Sequence, residues 1–186
     1  MKKEVCVLGI DDSSFNRETQ KSTIIIGAYY RGGEFLDGIL TSIITIDGTD
    51  STEKMIIMIN SSKFRHTLSC MFLDGITFAG FNIVDIEKLY KKTKIPVIVV
   101  IRKKPDLGSI ESALTKIGMK RKIALLKKAG KIYHTKNIYF QKKGISKDNA
   151  IRIIDATSTH SKLPEPLRVA HLIGQGLFFG ESKGKA

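Results

Sequence analysis

The run of β-branched residues at Val97–Ile101, directly after Pro96, is the feature that most restricts the fold. Branched side chains favour strands, and a strand that is apolar on both faces belongs in the middle of a sheet with both faces covered. Such strands occur mainly in parallel sheets, whose crossover connections are usually helices. This run therefore predicts an α/β protein with a central, fully buried strand.

Three other β-rich segments precede the first predicted helix, at residues 5–10, 23–30 and 35–46. The second and third are separated by a turn that contains Gly32 and Gly33, which suits a hairpin. Strands that follow one another so closely are expected to form an antiparallel meander at one side of the sheet.

Helices and strands alternate beyond the meander. Residues 70–73 form a compact apolar strand, and another short strand is predicted at residues 138–140. Helices are predicted to start near residue 50 and to cover residues 81–92, 107–129 with an interruption near Gly118, 146–158 and 164–173. This order predicts an α/β fold of the ribonuclease H-like type, a mixed sheet flanked by helices. We expect one domain over residues 1–186, with a mobile basic tail from about residue 180.

Two aspartates, Asp11 and Asp74, each directly follow a predicted strand. If those strands are parallel neighbours, both carboxylates emerge at the edge of the sheet where α/β proteins bind ligands. Carboxylates held together repel one another, and a hard divalent cation such as Mg²⁺ relieves that repulsion. Each aspartate alone also suits a turn, but their equivalent positions favour a metal-binding pair.

A third ligand is expected near the start of the helix that follows the meander. Glu53 and Asp50 both lie there, where either carboxylate could face the two aspartates. The same two residues also suit a capping box, in which their side chains accept from N–H groups of the first turn. Metal binding and helix capping therefore both stay open for Glu53.

Charge is divided unevenly along a chain whose net charge is +13. Residues 1–93 hold 11 Lys and Arg against 12 Asp and Glu, whereas residues 94–186 hold 20 against 6. A basic surface beside a carboxylate cluster is what a metal-dependent enzyme acting on a polyanion needs. The alternative is the Lys-rich, solvated surface of a thermophilic protein, but there Glu rises together with Lys. The distribution therefore favours a nucleic-acid partner.

Three basic residues, Arg102, Lys103 and Lys104, follow the central strand and are expected near the same edge as the aspartates. We interpret them as phosphate contacts, with a solvated loop as the alternative. Arg168 suits an ion pair on a helix surface, with phosphate binding as the other interpretation. The lysine-rich residues 116–131 indicate either a solvated helix face or diffuse phosphate attraction.

No apolar run approaches the roughly 20 residues that a membrane span needs. Cys6 and Cys70 lie inside apolar, strand-like segments and lack metal-ligand spacing. We therefore expect a cytoplasmic protein with reduced, buried thiols and no membrane partner.

Several short segments carry a family resemblance. Residues 7–11 (Val-Leu-Gly-Ile-Asp), 73–75 (Leu-Asp-Gly) and 163–171 (Leu-Pro-Glu-Pro-Leu-Arg-Val-Ala-His) resemble three signatures of endonuclease V, in the same order. Residues 74–85 and 180–184 resemble a closer family, endonuclease dU, which groups mainly archaeal relatives of endonuclease V. This closer resemblance extends over essentially the whole chain.

The resemblance implies a ribonuclease H-like fold and Mg²⁺-dependent cleavage of strands that carry deaminated bases, with Mn²⁺ able to replace Mg²⁺. Asp11 and Asp74 match the metal aspartates of endonuclease V. Glu53, 21 residues before Asp74, lies close to the position of that family's metal-binding glutamate. Lys103 resembles its active-site lysine. His171 resembles a histidine that lies near the site in some members, and we expect it to contact the nucleic acid.

The chain also departs from endonuclease V. The Pro-Tyr-Ile-Pro wedge before the glutamate is absent, and residues 79–82 (Ala-Gly-Phe-Asn) replace the His-Pro-Arg segment. Recognition of inosine therefore does not carry over. Our first hypothesis is a Mg²⁺-dependent endonuclease in DNA repair that cleaves DNA, rather than RNA, near uracil- or inosine-type bases. The alternatives are a non-catalytic nucleic-acid-binding module and, with less support from the basic half, a phosphoesterase acting on nucleotides.

Overall fold

The computed structural model describes residues 5–116, 118–135 and 138–183. The strands are β1 (Cys6–Asp12), β2 (Ser22–Arg31), β3 (Phe35–Thr45), β4 (Cys70–Asp74), β5 (Thr77–Phe78), β6 (Asn82–Ile83), β7 (Val97–Ile101), β8 (Tyr133–Thr135) and β9 (Ile138–Lys143). The helices are α1 (Ser51–Asn60), α2 (Ile86–Thr93), α3 (Leu107–Lys116), α4 (Lys120–Lys128), α5 (Lys147–Thr157) and α6 (Glu165–Phe179).

Seven strands form one sheet in the order β3-β2-β1-β4-β7-β9-β8. The first three pair antiparallel, whereas β4 joins β1 and β7 joins β4 in parallel. This arrangement confirms the predicted meander beside parallel strands. The β-branched strand β7 lies between β4 and β9, and its residues from Val97 to Val100 are buried, as its composition predicts.

Helices cover both faces of the sheet. Met55 of α1 and Leu89 of α2 are buried in an apolar core on one face. Ala150 of α5 and Leu167 of α6 are buried in a second core on the opposite face. The central strands are apolar on both faces because each face contributes to a separate core.

The predicted helix at residues 81–92 is wrong at its start. Asn82 and Ile83 pair instead with Thr77 and Phe78 in a two-stranded sheet. The helix begins only after Asp85, whose carboxylate accepts from the Lys88 N–H at 2.9 Å and caps the first turn. The last helix is longer than predicted and continues from residue 173 to Phe179.

Two glycines allow α6 to lie directly on β1. A Cβ atom added to Gly9 would lie 2.3 Å from the carbonyl carbon of Pro166, which is far closer than any real contact. About two turns further along the helix, Gly174 faces the backbone of Ser13, and the Ser13 hydroxyl donates to the Gly174 carbonyl at 2.6 Å. These contacts fix both the height and the direction of α6. As a result His171, between them, is held over β1.

Both cysteines are reduced; Cys70 is buried in β4 and Cys6 is partly buried in β1. Burial raises the pKa of the Cys70 thiol well above its ordinary value. Among the described residues, no helix has both the length and the apolar character needed to cross a membrane. The predicted mobile tail is described only from Gly180 to Lys183, and residues 184–186 lie outside the described part of the chain.

We expect Gly9→Ala to lower the free energy of unfolding by at least about 2 kcal/mol, because the new methyl group forces α6 away from β1. The matched control is Gly176→Ala on the same helix, where an added Cβ meets no atom within 4 Å. That change should be neutral or stabilising by up to about 1 kcal/mol, since alanine favours helix. Urea unfolding measures both, and equal effects would contradict this account of the packing.

Candidate metal centre

The carboxyl ends of two parallel strands bring Asp11 and Asp74 together. Ile10 of β1 lies opposite Leu73 of β4 in the ladder, so the two aspartates follow at matching positions. Both belong to the strands rather than to the turns that follow. The sequence-based premise that these strands are parallel neighbours is therefore confirmed.

Helix α6 adds His171 to the pair. The Nδ1 atom of its imidazole lies 2.8 Å from Oδ2 of Asp11. Asp11, Asp74 and His171 each offer one ligand atom, and these atoms all lie within 4.8 Å of one another. Asp11 is only 5% exposed, so water cannot easily screen the charges gathered here. The arrangement favours a bound cation or a shared proton.

Proton affinities at this cluster follow from burial and from neighbouring charges. Burial raises the pKa of the Asp11 carboxyl, the hydrogen bond with His171 opposes that rise, and the Asp74 charge adds to it. The hydrogen bond to Asp11 in turn raises the pKa of the His171 imidazole. A divalent cation would supply the positive charge that these buried groups otherwise obtain from protons.

Asp12 is a partly buried carboxylate that the sequence reasoning did not single out. It lies on the other face of β1, where its Oδ2 accepts from the Ala79 N–H at 3.0 Å. Burial and the adjacent Asp11 charge raise the pKa of Asp12 to about 7. The adjacent Asp-Asp pair was the signal in the sequence, because alternation along a strand sends its two carboxylates to opposite faces.

Arg102 contacts an aspartate of the cluster. Its Nη2 atom lies 2.6 Å from Oδ2 of Asp74, so a guanidinium balances part of the local negative charge. Lys103 and Lys104 follow Arg102 and are exposed to solvent. The structure therefore places all three predicted basic residues at the carboxylate edge, with the two lysines turned to solvent.

Glu53 is not brought into the cluster. It is exposed on α1 and forms an ion pair with Lys88 of α2. The group of ligand atoms within 4.8 Å, searched over the described residues, does not include it. The Asp50–Glu53 capping box is also wrong, since Asp50 makes no cap hydrogen bond and its carboxylate accepts from Thr45 and Asn82 instead.

Arg168 forms an ion pair on its helix, which is the first of the two interpretations of its sequence position. Its guanidinium forms an ion pair with the buried carboxylate of Glu165, one turn earlier on α6. The hydrogen bond from Arg168 lowers the pKa of Glu165. Arg168 thus stabilises α6 through Glu165, and its contact with nucleic acid stays a prediction.

Some lysines of the lysine-rich segment also bind groups within the protein. Lys122 of α4 is buried, and its ammonium group donates to the backbone carbonyls of Asp47, Gly48 and Phe81 at 2.7 to 2.8 Å. Lys128 pairs with Asp85. The net positive charge of residues 94–186 therefore overstates what is free to attract an anion.

The sheet order and the helices on both of its faces define an endonuclease V-like fold. The endonuclease V of Ciona intestinalis, solved with a 24mer DNA containing an inosine followed by a ribo-adenosine, has a TM-score of 0.58 and 15% identity over 91% of this chain and 84% of that one. Endonuclease V of Bacillus subtilis gives 0.57 and 12%, over 89% and 77%. These likenesses confirm the ribonuclease H-like fold.

The chain belongs to the endonuclease dU family, which it matches over residues 3–178. A UPF0215 protein of Methanosarcina mazei is 47% identical over all of this chain and 97% of its own length. Another, from Pyrococcus horikoshii, is 45% identical over 98% and 97%. The crystal structure of a protein of unknown function from Archaeoglobus fulgidus has a TM-score of 0.87 and 37% identity, over 94% and 98%. These findings confirm the predicted family.

We expect Glu165→Gln to lower the free energy of unfolding at pH 7 by about 2–3 kcal/mol, because Arg168 then faces a neutral amide. A carboxyl whose pKa is lowered by folding stabilises the protein above its ordinary value of 4.5, and that contribution is lost as the pH falls through the lowered pKa. The difference from wild type should therefore shrink below about pH 4.

Urea unfolding at neutral and acidic pH measures this difference. The exposed Glu34 supplies the control, since Glu34→Gln should change stability little at either pH. A Glu165→Gln difference that is independent of pH would contradict an electrostatic role for the pair.

Proposed function

We propose that this protein is a divalent-cation-dependent endonuclease that cleaves DNA. The observation that carries the proposal is the convergence of Asp11, Asp74 and His171 at the carboxyl edge of parallel strands. Membership of the endonuclease dU family and the endonuclease V-like fold support a nuclease-like role. The net positive charge of the second half of the chain supports a polyanionic substrate.

Asp11 and Asp74 are the residues that would hold the cation. Two carboxylates suit Mg²⁺, which commonly takes one or two protein carboxylates and completes its shell with water and phosphate oxygens. Mn²⁺ accepts the same ligands and can replace it. A cation held there would activate a water molecule and stabilise the oxygen that leaves the phosphodiester.

The remaining residues act on the carboxylates and on the strand. His171 orients Asp11 through its Nδ1 atom, and Arg102 balances the charge of Asp74. Lys103 and Lys104 are exposed beside Arg102 and would contact phosphates next to the scissile bond. Such contacts position the strand without reading its sequence.

We propose DNA with deaminated bases, of the uracil or inosine type, as the substrate, and repair as the role. The support is the family name together with the inosine-containing DNA in the Ciona endonuclease V complex. The exposed lysines contact phosphates in any strand, so base selection requires other residues.

We expect Asp11→Asn to reduce nicking of uracil- or inosine-containing oligonucleotides in Mg²⁺ by more than about 100-fold, because losing a ligand costs more than losing the outer shell around it. Asp37→Asn is the matched control, since Asp37 lies on β3 in an exposed ion pair with Arg31. Gel assays measure both, and wild-type cleavage by Asp11→Asn would overturn the proposal.

Glu53 is the third metal ligand that the sequence predicts, and Glu53→Gln tests that role in the same gel assay. Because Glu53 is exposed and pairs with Lys88, we expect this variant to keep nearly full activity.

A non-catalytic nucleic-acid-binding module is the second candidate. The observation that favours it is the absence of Glu53 from the carboxylate cluster, which leaves two described carboxylates there. Calorimetric titration with Mn²⁺ separates the candidates, because a nuclease of this kind binds the ion and a module need not. DNA affinity that falls with salt, without cation binding, would support the module.

A further inference from the structure

We infer that Gln175 is a positioning residue of the candidate metal centre and that the backbone of the C-terminal tail, residues 180–183, holds it in place. Gln175 lies one helical turn after His171 on α6, so the two side chains share a face of the helix. Its Nε2 atom is 3.0 Å from Nε2 of His171. The inference rests on the proposed function only for its effect on cation binding.

The tail fixes which way the Gln175 amide points. The backbone N–H of Lys183 lies 2.7 Å from Oε1 of Gln175, and a backbone N–H is always a donor. The amide oxygen must therefore face the tail. The amide nitrogen, as a donor, is left to face the imidazole of His171.

That orientation determines the role of each imidazole nitrogen. Because the Gln175 amide donates, Nε2 of His171 must accept, and the ring proton resides on Nδ1. Nδ1 then donates to Oδ2 of Asp11 over 2.8 Å. Three hydrogen bonds thus run in one direction, from the Lys183 backbone through Gln175 and His171 to Asp11. We call this chain of hydrogen bonds the relay.

The geometry of the tail makes this contact specific. Gly180 ends α6 in the left-handed region, with φ of +79°, and its N–H donates to the Gly176 carbonyl at 2.9 Å. The chain then folds back along the helix, so that the Lys183 N–H reaches the Gln175 side chain. The Lys183 ammonium contacts a different residue, at 4.8 Å from the centroid of the Phe179 ring. A left-handed turn of this kind favours glycine. Residues 180–183 belong to the segment that carried the family resemblance, and here they acquire a structural role.

The relay ends on a carboxylate that is fixed on both of its oxygens. Oδ1 of Asp11 accepts from the Asp12 N–H at 2.9 Å, while Oδ2 accepts from His171. Outer-shell hydrogen bonds of this kind typically change metal affinity by about 10–100-fold. Gln175 and the tail would therefore act on the cation without touching it.

The test compares two substitutions of Lys183. Lys183→Pro removes the backbone N–H that orients Gln175, whereas Lys183→Ala keeps that N–H and removes only the ammonium group. Gln175→Leu removes the donor itself. We expect Lys183→Pro and Gln175→Leu to weaken Mn²⁺ binding about 10-fold in calorimetry, and Lys183→Ala to leave it at the wild-type level.

A spectroscopic signature tests the relay without cation or substrate. Long-range ¹H–¹⁵N spectra of the labelled full chain, at a pH where the imidazoles are neutral, report on Nε2 of His171, identified by its loss in His171→Gln. Its resonance should move toward that of a non-bonded acceptor in Lys183→Pro and Gln175→Leu, and stay in place in Lys183→Ala. Thermal unfolding verifies that each variant is folded.

The outcomes distinguish the positioning role of Gln175 from the proposed function of the protein. An unchanged Nε2 resonance in Lys183→Pro and in Gln175→Leu would overturn the positioning role, whatever the protein cleaves. If the resonance moves but wild-type protein binds no Mn²⁺, the relay stands and the proposed function fails. Equal loss of Mn²⁺ affinity in Lys183→Ala and Lys183→Pro would assign the effect to the ammonium group and also overturn the inference.

Discussion

The close approach of α6 to β1 is the contact on which the candidate site depends. Gly9 lets the backbone at Pro166 rest directly on the strand, and Gly174 does the same at Ser13. A Cβ atom at Gly9 would collide with the helix backbone, and one at Gly174 would press on Ser13. His171 lies between these two contacts, so its distance from the strand is set by backbone packing and not by side-chain rotamers alone. The site is as rigid as this helix–strand contact.

Electrostatics sets the second requirement, since two carboxylates are held near each other in a partly buried place. The protein places a compensating group against each, His171 against Asp11 and Arg102 against Asp74. Each partner comes from a different element, α6 or the end of β7, and both meet only in the folded chain. The carboxylates therefore have partners of different character, since His171 donates a hydrogen bond from a titratable ring and Arg102 supplies a permanent charge.

Local patterns were sufficient for the longer strands, because alternation and β-branching report directly on burial, but they missed the short strands β5, β6 and β8. They also located Asp11 and Asp74, since a residue that ends a parallel strand has a known place in the sheet. They left Glu53 open, because the same carboxylate suits a cap, a ligand or the surface pair that it forms with Lys88. The Gln175–Lys183 contact has no signature in the sequence, because it depends on how the chain reverses after α6.

If a cation binds Asp74 as proposed, the ion pair between Arg102 and Asp74 would make its uptake an exchange reaction. An ion that seeks Asp74 must displace a guanidinium whose nitrogen already lies 2.6 Å from the carboxylate oxygen. The attraction of a monovalent ion to Asp74 would barely exceed that of the guanidinium it displaces. A divalent ion would be attracted more strongly, and to both aspartates at once. The displaced guanidinium would then be free to move beside the exposed side chains of Lys103 and Lys104. The Arg102–Asp74 pair, which otherwise resembles an ordinary surface salt bridge, would therefore favour a doubly charged ion.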